Sequence, residues 1–238
     1  MRACLGKNGL LIGAVILLAA LSALRTPAPK ETEPAYRYLA IGNSITQHPV
    51  CDYWWDETGM AATERDRDYV HLVADYLADQ HGDVQTDIVP FSVWEITAKD
   101  RKDTYALIDP YLTEDVDWIT VQLSENVASA RSLRPAYSEL IRYIRDKCPQ
   151  AQIVLVDDFW SDAKSRIKRD VARKMRLPFA DLSGIRGDEA YQNRLGAMVY
   201  GADGLPHVIE NEQVAKHPND AGMAAIAQAV IDQLEKLP

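Results

Sequence analysis

The amino-acid sequence predicts an α/β fold, with a central parallel sheet of about five strands covered by helices on both faces. Three observations predict it. Short β-rich apolar runs alternate with segments of helical periodicity, and a repeated β-then-α order is the signature of a parallel sheet. Of the 238 residues, 47% are hydrophobic and 26% charged, a globular balance in a chain long enough to build its core without disulfides or metals. No linker, repeat or low-complexity stretch interrupts residues 35–238, which are therefore read as one domain.

The elements follow in order. Tyr36 to Ile41 reads as a buried strand and Tyr69 to Gln80 as an amphipathic helix. Val84 to Phe91 is a second strand, followed by a helix around Asp103 to Leu112. Trp118 to Leu123 is a third strand and Leu133 to Lys147 a strongly amphipathic helix. Ile153 to Val156 and Phe179 to Leu182 supply the fourth and fifth strands, with a helix over Asp162 to Met175 between them. A last helix runs from Asp220 to Leu237. In such a sheet, ligands bind at the carboxyl ends of the strands, so site residues are sought just after strands.

The formal net charge of −9, without a long basic run, argues against nucleic-acid binding. The basic stretch Lys164 to Lys174 alternates with apolar residues at helical spacing and reads as a solvated helix face. At the amino terminus, Arg2 and Lys7 precede an apolar run from Gly9 to Leu24. That pattern fits a signal peptide or an N-terminal membrane anchor over residues 1–30, tethered to the domain by Pro27 to Pro34. Either reading exports the domain, to the periplasm, the outside of the cell or the outer face of the inner membrane. Membrane contact is expected only through that anchor. Beyond the leader only Cys51 and Cys148 remain, far apart and without metal-ligand spacing; a disulfide and two free thiols are both open. No cofactor is expected, and the oligomeric state is not legible.

Ser44 meets the strand-end criterion, following the first strand and Gly42, which permits a tight turn. A serine hydroxyl needs a base to become a nucleophile. His217, in Lys216-His217-Pro218-Asn219-Asp220, precedes the last helix and is the candidate base. The segment Gly42-Asn43-Ser44-Ile45-Thr46 resembles the GDSIT block of the SGNH (GDSL-type) hydrolases, with Asn43 in place of the usual aspartate. His217-Pro218-Asn219-Asp220-Ala221-Gly222-Met223 resembles the block that carries their histidine. Ser124-Glu125-Asn126, after the third strand, matches their GxND block, with Ser124 replacing the glycine.

The resemblance implies a three-layer α/β/α sandwich of flavodoxin-like type and metal-free ester hydrolysis through an acyl-enzyme. It implies Ser44 and His217 as the catalytic residues, and an oxyanion hole from the Ser44 N–H and the Asn126 amide. Ser92, after the second strand, is the weaker candidate for a third donor, since the family's glycine is missing there. A second departure concerns the triad acid. The family commonly has an aspartate three residues before the histidine, and Val214 stands there. A backbone carbonyl, or Glu210, Glu212 or Asp203, is left to orient His217.

Trp54 and Trp55, in the insertion after Ser44, are candidate substrate-binding residues because aromatic side chains stack on sugar rings; Trp94 and Glu95 join them because, with Glu125-Asn126-Val127, they resemble SGNH proteins of bacterial glycan loci. For Trp54 and Trp55, core packing is an equal reading. The expected substrate is an acylated carbohydrate or a small ester. A glycan-binding relative without catalysis, and an O-acyltransferase using the same dyad, are the alternatives.

Overall fold

The computed structural model describes residues 35–97 and 99–236; the leader over residues 1–30 and the Pro27–Pro34 tether lie outside them. In chain order the regular elements are β1 (Tyr36–Gly42), α1 (Tyr69–His81), β2 (Val84–Pro90), α2 (Ser92–Ile96), β3 (Trp118–Gln122), α3 (Ala130–Lys147) and β4 (Gln152–Val156). They continue with α4 (Asp162–Met175), β5 (Phe179–Ala180), β6 (Met198–Tyr200), β7 (Pro206–Val208), α5 (Glu212–Ala215) and α6 (Asp220–Leu234).

Strands β1 to β5 form one all-parallel sheet in the order β2-β1-β3-β4-β5. Side chains alternate across a strand, and the alternation divides the core in two. On one face Leu39, Ile41, Ile119, Val121, Ile153 and Leu155 pack against Leu133, Tyr137, Leu140 and Ile144 of α3 and Val171 of α4. On the other, Tyr38, Ala40, Trp118, Val154 and Val156 meet Val70, Val73 and Leu77 of α1 and Met223, Ile226 and Val230 of α6. The result is the three-layer α/β/α sandwich. Buried β-strands read as continuous apolar runs for this reason: both faces are covered.

The strand order reverses between β1 and β3, where the chain winds first one way and then the other. Open α/β sheets bind ligands at this switch point, beyond the carboxyl ends of the strands. The register fixes what meets there. Gly42 pairs with both Pro90 of β2 and Gln122 of β3, so the turns leaving three adjacent strands emerge at one level.

Where the fold departs from the periodicity, the causes are local. The helix expected around Asp103 to Leu112 is two 3₁₀ turns, Arg101–Leu107 and Asp109–Tyr111. Pro110 cannot donate to a continuing helix and is tolerated in the first turn of a new one. α2, α5 and the antiparallel β6–β7 hairpin are too short to show a period. The basic face of α4 is only partly solvated: Lys168 is fully buried, its ammonium 5.6 Å from the centre of the Tyr137 ring, and Lys164 donates to the Glu125 carbonyl at 2.6 Å. Cys148 lies in the α3-side core and Cys51 in the insertion; both are free thiols. No helix among the described residues is long and apolar enough to cross a membrane.

A third, smaller apolar cluster seals the insertion against the carboxyl-terminal part of the domain. It joins Trp54, Met60 and Ala61 of the insertion to Val199, Ile209, Val214 and Ala215. Trp54, 1% exposed, is therefore a core residue, and its assignment to substrate is corrected. Trp54→Ala is expected to lower the unfolding free energy by about 3–5 kcal/mol, the usual cost of truncating a buried tryptophan. Urea denaturation measures it, and an unchanged midpoint would return Trp54 to the surface.

Candidate active site

The turn after β1 is built around Gly42 and Asn43. A Cβ on Gly42 would overlap the Thr46 side chain and lie 2.9 Å from the Gln122 carbonyl, so only glycine leaves β1 by this route. The Asn43 carbonyl then accepts from the N–H groups of Thr46 and Gln47, and its side-chain oxygen accepts from Ile45 N–H at 3.0 Å. This tight turn lifts Ser44 to the half-exposed end of the sheet. The insertion holds it from outside, Met60 N–H donating to the Ser44 carbonyl at 2.8 Å.

His217 arrives from the other end of the chain. Asn219 caps α6 by accepting from Gly222 N–H at 2.9 Å, and its amide donates to the carbonyls of Ala190 and Gln192. The His217 carbonyl accepts from Asn193 N–H. The imidazole is thus carried on a corner fixed on both sides. Its Nε2 lies 2.8 Å from Ser44 Oγ, and its Nδ1 lies 2.8 Å from the carbonyl oxygen of Gln213.

That second contact dictates the tautomer. A carbonyl only accepts, so Nδ1 carries the proton and the Nε2 lone pair faces the serine hydroxyl. Burial lowers the His217 pKa to about 4, outweighing the Gln213 carbonyl, which favours the protonated ring. The ring is neutral at neutral pH. Of the orienting groups weighed from the sequence, the backbone carbonyl is the one in contact. Asp203 instead pairs with His207. Val214 cannot serve, since its side chain belongs to the third apolar cluster with Trp54 and Met60.

Ser92 opens α2, and its N–H is one of the amides that no turn of its own helix can satisfy. Asn126 follows β3. Its Nδ2 donates to Glu95 Oε2 at 2.6 Å, and Glu95 Oε1 accepts from Asn43 Nδ2 at 3.1 Å and Ser124 N–H at 2.5 Å. Glu95 is 1% exposed with its oxygens engaged inside the protein, so it is not a substrate-binding residue. Trp94 is 0% exposed, packed on Tyr137 in the α3-side core, and is corrected likewise. Trp55 is half-buried and stacked on His207, ring centres 4.6 Å apart.

Sequence reasoning missed two features. Trp160, 36% exposed, stands edge-on to the His217 ring at 5.2 Å and donates its indole N–H to the Lys216 carbonyl. Its place after β4 was the available signal. Behind the turns lies a group of carboxylates, half-buried at Glu125 and buried at Asp157 and Asp158. Glu125 accepts from Asn43 Nδ2 (2.7 Å), Gln122 Nε2 (2.8 Å) and Phe159 N–H (3.0 Å), while Asp158 accepts from Ser124 Oγ at 2.6 Å. Burial, then the neighbouring Asp158, pushes the Glu125 carboxyl up to about 8. Asp157 is buried in an ion pair with Arg186. Among the described residues, no three His, Cys, Asp or Glu side chains are grouped so as to hold a metal ion.

No family model matches the chain, and no curated protein matches it. Solved structures do. A GDSL-like lipase, so far putative, from Parabacteroides merdae superposes with a TM-score of 0.55 at 13% identity, over 87% of this chain and 99% of the other. The extracellular lipase of Streptomyces rimosus gives 0.52 at 13%, over 84% and 100%. The fold is that of the SGNH hydrolases. A two-domain esterase active on acetylated mannans gives 0.50 at 16% identity, over 85% of this chain; the chain spans about half (49%) of that protein's length.

At position 214, where the resemblance to the SGNH hydrolases leads one to expect an acid, this chain has a core residue. Val214→Asp, which restores the family's residue, is expected to destabilise the domain by about 2 kcal/mol or more, because it buries a carboxylate among apolar side chains. It is also expected not to raise the rate of p-nitrophenyl acetate hydrolysis. Thermal unfolding with a turnover assay reads both, and a stable, faster variant would contradict this account of position 214.

Proposed function

We propose that this protein is a serine esterase that removes acyl groups, acetyl foremost, from a carbohydrate at the cell envelope. The observation that carries the reading is the pair of contacts on one imidazole, Ser44 Oγ on Nε2 and the Gln213 carbonyl on Nδ1, each at 2.8 Å. Nucleophile and base stand within hydrogen-bond reach, and the base has an orienter, which is the geometry that activates a serine.

In the reaction, Ser44 Oγ attacks the ester carbonyl while Nε2 takes its proton. The negative charge that develops on the carbonyl oxygen is met by the N–H of Ser44, the amide of Asn126 and the N–H of Ser92. The imidazolium returns the proton to the departing sugar oxygen. Water then repeats the sequence on the acyl-enzyme, releasing the acid and restoring Ser44. The Gln213 carbonyl stabilises the imidazolium as a dipole, more weakly than a carboxylate would, so turnover below that of a complete triad is expected.

The carbohydrate part of the proposal rests on Trp160 beside His217, and on half-buried Trp55 of the insertion, stacked on His207. A sugar ring bearing the ester would rest on the exposed indole. The acetylated-mannan activity of one structure with this fold agrees with that assignment. The amino-terminal pattern of a basic start and an apolar run supports a location outside the cytoplasm.

A fluorophosphonate probe tests the chemistry. Labelling of Ser44 is expected in the parent protein and absent in Ser44→Ala and His217→Ala; a parent protein that neither labels nor hydrolyses p-nitrophenyl acetate is instead a binding protein. The pH profile tests the base. His217 must be neutral to accept the proton, so kcat/KM should hold from neutrality down to about pH 5 and fall through a midpoint near the lowered pKa of about 4. An acid limb centred on the ordinary histidine value of about 6.5 would contradict the buried, carbonyl-oriented ring.

A further inference from the structure

We infer that Glu95 is a positioning residue of the oxyanion hole, holding the Asn126 amide with its nitrogen toward the ester and fixing the turn that carries it. The inference rests on the serine-esterase reading above and deepens it.

Glu95 sits in α2, directly behind the ends of three neighbouring strands. It accepts one hydrogen bond from each of the two other strand-end turns' key residues: Asn43 after β1 and Asn126 after β3, with Ser124 N–H as a third donor. All three partners are donors. A group that only accepts is therefore required at this point, and a carboxylate is the side chain that offers two such oxygens.

The consequence for Asn126 is specific. The two ends of an asparagine amide have almost the same shape, and only their hydrogen-bond partners decide which end is nitrogen. Glu95 Oε2 takes one of the two Nδ2 hydrogens at 2.6 Å, which places nitrogen on that side and leaves the second hydrogen for a substrate oxygen. Without an acceptor at this position, the carbonyl end of Asn126 could turn inward and repel the oxyanion.

The turn needs the same residue. Ser124 has φ of +149°, in a region that favours glycine, and it stands where the family's block carries glycine. Its N–H is held by Glu95 Oε1 and its hydroxyl by Asp158. Position 43 fits the same scheme. Asn43 divides its two amide hydrogens between Glu95 and Glu125, whereas an aspartate there would face both carboxylates with a third. Burial raises the Glu95 pKa, and the bonds from Asn126, Asn43 and Ser124 hold it down. The departures at positions 43 and 124 thus share one partner.

Steady-state kinetics with p-nitrophenyl acetate on Glu95→Gln, Asn126→Ala and the double variant test the inference. Glutamine keeps the size of Glu95 but turns an NH₂ toward Asn126, so the Asn126 amide is expected to rotate and present oxygen. The kcat of Glu95→Gln should fall by about 10²–10³, as for loss of an oxyanion donor, with KM changed by less than about threefold. The double variant should be no slower than Asn126→Ala alone, since both changes remove one interaction. A Glu95→Gln enzyme with parent kcat, or losses that multiply in the double variant, would overturn the inference. Should Glu95→Gln not fold, the parent protein still decides it by NMR: a scalar coupling across the hydrogen bond between Asn126 Nδ2 and the Glu95 carboxyl carbon is expected, and its absence overturns the inference. A parent protein without turnover would remove the esterase reading itself, while the same coupling would still report whether Glu95 holds Asn126.

Discussion

At Gly42 the central strand leaves the sheet through a space that admits no side chain, between Thr46 and the carbonyl of Gln122. Everything in the site is placed relative to that exit. Gly42 is in register with Pro90 and Gln122, so the turns after β1, β2 and β3 leave the sheet at one level. Those turns bring Ser44, Ser92 and Asn126 to the switch point, where an open parallel sheet leaves a crevice for ligands. The α1/α6 and α3/α4 layers then serve the site by keeping the sheet rigid on both faces.

The candidate base is delivered by a different device. His217 lies 173 residues from Ser44 in sequence, and its position depends on the cap of α6 and on the third apolar cluster. That cluster takes Val214 into the core and brings the Gln213 carbonyl onto Nδ1. An apolar side chain at position 214 packs under the insertion, and the group it leaves to face the ring is a dipole rather than a charge. In the other half of the site Asn43 and Ser124, which differ from the SGNH blocks they resemble, are joined by hydrogen bonds to one carboxylate, Glu95.

Much of the fold was legible because apolar alternation and helical periodicity are global signals. The strands around Tyr36, Val84, Trp118 and Ile153 and the helices before and after them follow from that pattern. Ser44, Asn126 and His217 stand out as candidates in the sequence because strand ends and helix starts leave marks there. Their partners do not. Glu95 and Lys168 look like surface residues in a linear reading, yet three-dimensional packing buries both, one among donors and the other over an aromatic ring. Trp54 and Trp94 look like sugar platforms because aromatic residues near a nucleophile serve either purpose, and only burial separates the two. Trp160 carries only the mark of following β4, and it matters because β4 ends beside the corner that holds His217.

The central claim is that a backbone carbonyl, rather than an acid, sets the tautomer of a neutral His217 facing Ser44. The ¹⁵N resonances of the His217 ring test it most directly, read from about pH 5 to about pH 8 in the parent protein. The account predicts a protonated Nδ1 and an unprotonated, hydrogen-bond-accepting Nε2 throughout that range. A ring protonated at Nε2, or one that takes up a second proton near the ordinary histidine pKa, would contradict it.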